Sequence, residues 1–539
     1  VKHTVLLLAI AAVSSPLFAA SNAELQREIQ LLKQQTRLLE SQLTQLEKRL
    51  VQQTDTPKKV APQKAPAKPS RVPAQNSSNK PVRVKGRRLH NVEPEPFHVA
   101  PLTVHQPEGH PDSLGFFPTA LVADDRVITW IAGTPVITSP YLGDRPAFDG
   151  SDYIVNISSI NRDVRLMQQR RRLYRAYEKE GYPVPSVPIV ALSGKLEPGG
   201  FVSRPYKGPT TGDWDLGSSE IDVAAALNDK VEAFVGFAFD SAPPLFGGQR
   251  VDNSSIDLNL GFVNIGDLDE TPFYFTAGQI YAPFGRYSTS MVSSTLPQLI
   301  GRVKTRPVVL GYRSQTASGP YAAVYGFKSD TKVGKSGVGG INAGYIIDND
   351  KVLGELGFSM IGSMADAQGL QNTGSAPLTT FAGFGNPTNG SENVRTVPSI
   401  GGHATLNISG YSLTAEWIGA TKAFLVQDLS MSGRGAQPQA GQLELGKTFV
   451  AFDRPASLAA GYQWTRDSLA LNLPRQRYAG VFNISLWRDT VESLEYRHDI
   501  NYNTNQFANG ASTPPFVNAN TVGTGTSSDS LIAQIGVFF

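Results

Sequence analysis

Residues 271–329 contain no Asp or Glu, yet they carry Arg286, Arg302, Lys304, Arg306, Arg313 and Lys328. A guanidinium holds carboxylate or phosphate through paired, charge-assisted hydrogen bonds, so this run points to recognition of an anion rather than to catalysis. Arg286, Arg302, Lys304, Arg306 and Arg313 are the candidate ligand-binding residues, and Arg286 and Arg302 bracket the stretch 282–303. Lys332 and Lys335 lie further along in what reads as an outer loop, where exposed charge is screened. The competing reading is that all these side chains only face water, or meet lipid phosphates at a rim.

Other chemistry finds little footing. The chain has no Cys, which removes disulfides, thiol nucleophiles and Cys–zinc sites. His98, His105, Glu108 and His110 are close in sequence, but the region is rich in Pro and the spacing fits no helical zinc motif. His498-Asp499 stands near a strand end without an identifiable catalytic partner pair, and no Gly-rich phosphate cradle precedes a helix. No catalytic residue, metal ligand or cofactor is therefore assigned, and an enzyme is the least favoured class.

The elements that must position the arginines are strands. From residue 189 onward the apolar pattern has period two, as in Ile221-Val223-Ala225-Leu227, Val231-Ala233-Val235-Phe237-Phe239 and Ile400-Gly402-Ala404-Leu406-Ile408. Tyr411-Leu413-Ala415-Trp417 and Tyr478-Gly480-Phe482-Ile484-Leu486 continue it, and Leu531-Ala533-Ile535-Val537-Phe539 closes the chain on Phe. Segments of about ten residues are the length a tilted strand needs to cross hydrocarbon. Sixteen can be placed, centred near 193, 223, 235, 260, 276, 309, 323, 343, 358, 404, 415, 445, 460, 481, 494 and 535. Their connections alternate. Asn228-Asp229, Asp348-Asn349-Asp350, Ser409-Gly410 and Arg488-Asp489 read as tight turns, whereas 240–254, 282–303, 363–398 and 500–529 are long.

That alternation is the layout of an outer-membrane β-barrel, and an even count returns both barrel ends to the periplasm. The expected fold is all-β: a 16-stranded antiparallel transmembrane barrel over residues 189–539. A mean hydropathy of −0.19 argues against a bundle of membrane helices but not against a barrel with a polar interior. The barrel region holds 24 Lys or Arg against 29 Asp or Glu, a net charge of −5, so a cationic constriction would act by its local field. The whole chain of 539 residues carries a net charge of +3, with no bulk attraction to nucleic acid.

Ahead of the barrel, residues 1–20 have the basic start, short apolar run and small residues of a signal peptide. Residues 21–53 hold a seam of period 3.5, Leu25, Ile29, Leu32, Thr36, Leu39, Leu43, Leu46 and Leu50, which reads as a self-associating coiled coil in the periplasm. Residues 54–100 form a basic, Pro-rich linker; its part 54–88 has ten Lys or Arg against one acid. At roughly 3.1 Å per residue that part reaches on the order of 100 Å, and it offers a contact to cell-wall polymer. Residues 101–188 read as a small α+β segment, plug-like or periplasmic, with one helix at about 160–180. They have too few regular elements for a substantial core of their own.

The run Ala147-Phe148-Asp149-Gly150-Ser151-Asp152-Tyr153-Ile154-Val155-Asn156-Ile157-Ser158-Ser159-Ile160-Asn161, with Leu192-Ser193-Gly194-Lys195-Leu196, resembles the corresponding segments of the LbtU family of siderophore porins. The order of signal peptide, coiled coil, basic linker and barrel resembles that family too. The resemblance implies an outer-membrane receptor or channel for ferric siderophore, of the polycarboxylate type such as legiobactin, used in iron acquisition. It carries over no ligand residues. The partners implied are ferric siderophore and outer-membrane lipid. Two other functions stay open at this point: a general or phosphate-type anion porin, and a tether between outer membrane and cell wall.

Overall fold

The computed structural model describes residues 102–103, 119–120, 129–131, 134–138, 162–164, 166–167, 189–240, 255–331, 336–349, 352–372, 383–384, 395–487, 490–508 and 521–538. The expected signal peptide, coiled coil and basic linker fall outside these residues. So do the first two His of the Pro-rich run, its Glu108 and His110, and the pair Lys332 and Lys335.

Sixteen antiparallel strands close into a barrel. Strand β1 comprises Ile189–Leu196 and its continuation Gly199–Arg204; β2 comprises Thr211–Asp215 and Glu220–Asn228. Then follow β3 (Val231–Asp240), β4 (Ser255–Ile265), β5 (Phe273–Tyr281), β6 (Val308–Arg313), β7 (Gly319–Lys328) and β8 (Gly337–Asp348). The second half is β9 (Val352–Ile361), β10 (Ser399–Ile408), β11 (Tyr411–Ala420), β12 (Gln439–Ala451), β13 (Arg454–Arg466), β14 (Gln476–Ile484), β15 (Thr490–Ile500) and β16 (Ser527–Phe538). Each of the sixteen centres read from the sequence falls within one of these strands.

The alternation of connections holds as well. Tight turns and long loops fall at opposite ends, and the loop 282–307 is on the long-loop end. Asn228 makes its turn by accepting the N–H groups of Lys230 and Val231 on its side-chain oxygen, at 2.9 and 3.0 Å. Ser409 and Gly410 both have positive φ, 52° and 75°, the geometry a two-residue hairpin turn needs to match strand twist.

Closure joins β16 to β1, with Asp529 opposite Arg204 and Phe538 opposite Lys195. β1 is interrupted at Pro198, which has no N–H to give to a ladder. Across the interruption stands Gly217 at φ 54°, where an added Cβ would meet the Glu197 carbonyl at 2.0 Å. Below the end of β16, the edge of β1 is taken by a different strand. Thr134–Thr138 pairs with it in parallel, Val136 opposite Val190 and Thr138 opposite Leu192, and Thr129–Ile131 pairs with that strand in turn. The segment before the barrel thus adds to the wall at its seam.

The outward rows read from the sequence do face outward: Ile221, Leu227, Phe237, Ile408, Tyr411, Tyr478, Leu531, Ile535 and Val537 are exposed. A closed barrel with an apolar exterior leaves no unpaired strand edge to lipid, and it is an outer-membrane architecture.

The interior has two characters. On β3 to β7, Phe234, Leu260, Phe262, Tyr274, Val309, Tyr325 and Phe327 point inward and are buried. They share one apolar cluster with Val164, Leu166 and Met167, which belong to helical residues ahead of the barrel. From β11 to β15 the inward residues are polar: Glu416, Gln442, Glu444, Gln463, Arg477, Asn483, Glu495 and Asp499.

Candidate functional site in the lumen

The polar half of the wall exists to receive a loop. Residues 282–307 leave β5 and turn into the barrel, where Ala282, Phe284, Tyr287, Met291, Leu296, Ile300 and Val303 are buried. A loop inside a barrel brings backbone N–H groups away from water, and each must find a partner. The partners come from strand after strand. Gly285 N–H donates to Ser359 Oγ of β9 at 2.9 Å. Arg286 and Tyr287 N–H both donate to the Glu416 carboxylate of β11, at 2.6 and 2.8 Å. Ser290 N–H and Thr289 Oγ1 donate to Glu444 of β12, at 2.7 and 2.6 Å. Val292 and Ser293 N–H share Glu495 Oε2 of β15, at 2.5 and 2.9 Å, and Ser293 Oγ donates to its other oxygen.

Carbonyls of the loop are met in the same way. Gln442 Nε2 donates to Ser288 O at 3.0 Å, Asn483 Nδ2 to Ser290 O at 3.2 Å, and Arg477 Nη1 to Ser294 O at 3.0 Å. The returning arm begins with Leu296 N–H on Gln463 Oε1 of β13, at 2.8 Å. There the helix α1 (Leu296–Gly301) starts, capped by Thr295 with Pro297 in its first turn, and its Leu296 and Ile300 are buried. Burial, with the Glu416 charge beside it, holds the Tyr287 phenol well above the usual tyrosine range, so it stays neutral.

The candidate cations are dispersed by this geometry. Arg286 Nε pairs with Glu355 Oε2 of β9 at 3.2 Å. Glu355 also accepts from the Tyr321 hydroxyl at 2.7 Å and lies 3.2 Å from His403 Nε2, so Arg286 belongs to a four-residue cluster. Arg313, inward at the end of β6, is near enough to feel both Arg286 and Glu355. Arg302 lies over the Tyr281 ring, 4.8 Å from its centroid, and donates from Nε to Gln368 at 3.1 Å. Gln368 opens helix α2 (Gln368–Asn372), part of the next-but-one long loop. Lys304 Nζ donates to Asn259 Oδ1 at 3.2 Å. Arg306 is exposed and reaches Gln279, which pairs with Gly261 on the outer parity of the wall, so it does not join the lumen group.

The lumen holds further cations. Arg477 Nε pairs with Asp499 Oδ1 at 2.8 Å, and Arg497 Nε with Asp499 Oδ2 at 3.1 Å. The acid-free run 271–329 gave no hint of them, nor of Glu355, Glu416, Glu444 and Glu495. The available signal was an acid on the inward parity of a strand whose outward row is apolar, as at Glu416 between Ala415 and Trp417. Among the described residues no group of three or more His, Asp or Glu is placed to hold a metal ion.

The loops above are packed as well. Phe384, Val397, Phe424, Leu429, Met431, Leu469, Leu471, Tyr502 and Ala508, all from long loops, join the same apolar cluster as the inward loop.

No protein-family model matches the chain. Among solved structures, the anion-selective porin of Comamonas acidovorans is similar at 10% identity and a TM-score of 0.42, over 65% of this chain and 99% of that one. The OmpF of Salmonella typhi in complex with daunomycin is similar at 12% identity and a TM-score of 0.42, over 65% and 97%. Among sequences, the UPF0422 protein of Legionella pneumophila strain Paris is 56% identical over 541 residues, covering 100% of both chains. The UPF0422 protein of Coxiella burnetii is 33% identical over 406 residues, covering 74% of this chain and 83% of that one. With relatives of that identity and coverage, the chain belongs to the UPF0422 family.

Proposed function

We propose that this barrel is an outer-membrane channel that takes up an anionic iron chelate, a ferric siderophore of the polycarboxylate type, for iron acquisition. The observation that carries the reading is the loop 282–307, stapled across the lumen with Arg286 and Arg302 at its two arms. The wall glutamates face the loop from behind, and their oxygens accept its own N–H groups. A solute in the lumen would then meet guanidinium groups from Arg286, Arg302 and Arg313, with Arg497 on the far wall. Donors fixed in place and partly removed from water suit carboxylates, which take two hydrogen bonds from one guanidinium. Lys304 adds charge near the mouth. The inward loop and the described loop residues packed with it favour a selective route over a wide water-filled pore, and the resemblance of residues 147–161 to siderophore porins points to the same class of solute.

The test is uptake of radiolabelled ferric polycarboxylate siderophore by cells with and without the protein, together with conductance in planar bilayers. Replacing Arg286 and Arg302 with Ala should leave barrel assembly intact and weaken saturable uptake. Each lost charge-assisted contact costs roughly 1.5–3 kcal/mol, about ten- to a hundredfold in affinity. Parental uptake by the double variant would refute the assignment. Anion-selective conductance that the chelate neither blocks nor saturates would favour a general or phosphate-type anion porin instead.

A further inference from the structure

Not all the cations of this barrel look into the lumen. At the long-loop end of the seam, β15, β16 and β1 bring His498, Asp529 and Arg204 side by side in one row. Their neighbours Ser203 and Ser530 bond to each other through their hydroxyls at 2.9 Å on the other face, where Ser530 is buried. The row therefore faces outward, towards lipid. Asp529 is its centre: His498 Nδ1 lies 2.7 Å and the Tyr496 hydroxyl 2.8 Å from Asp529 Oδ1, and Arg204 Nη2 lies 3.2 Å from Oδ2.

The level of this row matters. Two residues nearer the middle of the barrel, on the same face, stand Tyr496, Leu531 and Val202, exposed by 51, 47 and 54%. They form the edge of the apolar belt, ending in a Tyr, as belts do at the membrane interface. One step beyond it lies a cleft of about 660 Å³, lined by Arg204, Tyr206, Lys207, His498, Thr526 and Ser527 among others. The exposed Lys207 sits on the loop above, and that loop is tied down by Thr526 Oγ1 donating to Tyr206 O at 3.1 Å.

We propose that this cleft binds the phosphorylated headgroup of an outer-leaflet glycolipid. Arg204 and Lys207 outnumber the one carboxylate, Asp529, to which Arg204 is paired, so the row and its loop keep one positive charge in excess. The hydroxyl of Ser527 adds a hydrogen-bond donor, and His498 lines the cleft beside Asp529. A phosphate monoester just outside hydrocarbon is at the height of the row, and an acyl chain below it meets Leu531 and Val202. The row of Arg204, Asp529 and His498 lies on the opposite face of the wall from Arg477 and Arg497.

The full-length protein in detergent, freed of bound lipid, can be titrated with fluorescent lipopolysaccharide, with the same glycolipid stripped of its phosphates, and with inorganic phosphate as competitor. The parent should bind the phosphorylated form at least about tenfold more tightly than the stripped form. Arg204→Gln with Lys207→Gln should remove most of that preference while the barrel keeps its heat-dependent gel shift. If the double variant fails to fold, Lys207→Gln alone, a loop change outside any ladder, should reduce the preference severalfold. Equal binding of both glycolipids by the parent, or an unchanged preference in the folded variants, overturns the proposal. Displacement by inorganic phosphate at concentrations equal to those of the lipid would assign the cleft to a soluble anion and overturn it too.

Discussion

Asp163 is an acid set where its charge is costly. It lies among helical residues inside the barrel, 3% exposed, with Thr276 Oγ1 donating to its Oδ2 at 2.8 Å. Burial raises its carboxyl above the ordinary value; the Thr276 hydroxyl and the backbone N–H of Val164 pull the other way but do not cancel it. A raised folded value means that stability is fully present below the unfolded pKa of about 3.9 and is lost as pH climbs through the raised value. Asp163→Asn keeps an acceptor for Thr276 and drops the charge. The variant should therefore unfold at a higher temperature than the parent at pH 7, with the gap closing as pH falls below about 4. Heating series read by gel shift at both pH values check this. A variant weaker at pH 7 would mean that the ionised form is the stabilising one.

Among elements, the inward loop owes its shape to carboxylates far away in the chain. Glu416, Glu444 and Glu495 lie 130, 154 and 203 residues beyond the loop atoms they bind. No window of sequence contains both halves of such a contact, so the run 271–329 looked like an uncompensated basic stretch. The strands themselves were legible because their signal is local: one face alternates, and Asn228, Ser409 and Gly410 mark turns by their own chemistry. Phe234 and Phe262 were not legible as lumen residues, since an apolar side chain on the inward parity only blurs the period of two. What they pack against, Val164, Leu166 and Met167, lies outside the barrel sequence. The staples predict a functional consequence. Glu416 and Glu495 each accept two loop N–H groups, and Glu444 accepts one N–H and the Thr289 hydroxyl, worth roughly 1.5–3 kcal/mol per charge-assisted bond. Glu444→Ala with Glu495→Ala should release the middle of the loop without disturbing strand pairing. Single-channel conductance should rise and become noisier, and selectivity between anion and cation should fall. Conductance traces identical to the parent's would mean that the loop holds its place by apolar packing alone.

At the scale of the molecule, the two ends of the barrel are chemically unlike. Described residues of the long loops at one end join the apolar cluster that also holds the inward loop. The other end is short turns, both barrel termini, and the parallel strand Thr134–Thr138 lying against β1. A segment that precedes the barrel and joins its wall at the turn end leads us to predict that this end faces the periplasm and the long loops the cell surface. The absence of Cys makes this directly testable, because one introduced thiol is the only label site. Gln427, exposed on the long loop 421–438, and Asp229, exposed in the β2–β3 turn, are suitable places. With Gln427→Cys, a membrane-impermeant maleimide should label intact cells within minutes. With Asp229→Cys, labelling should wait until the outer membrane is permeabilised. The reverse order would invert the barrel, and it would move the outward row of Arg204 and His498 to the inner leaflet, away from the phosphorylated glycolipid.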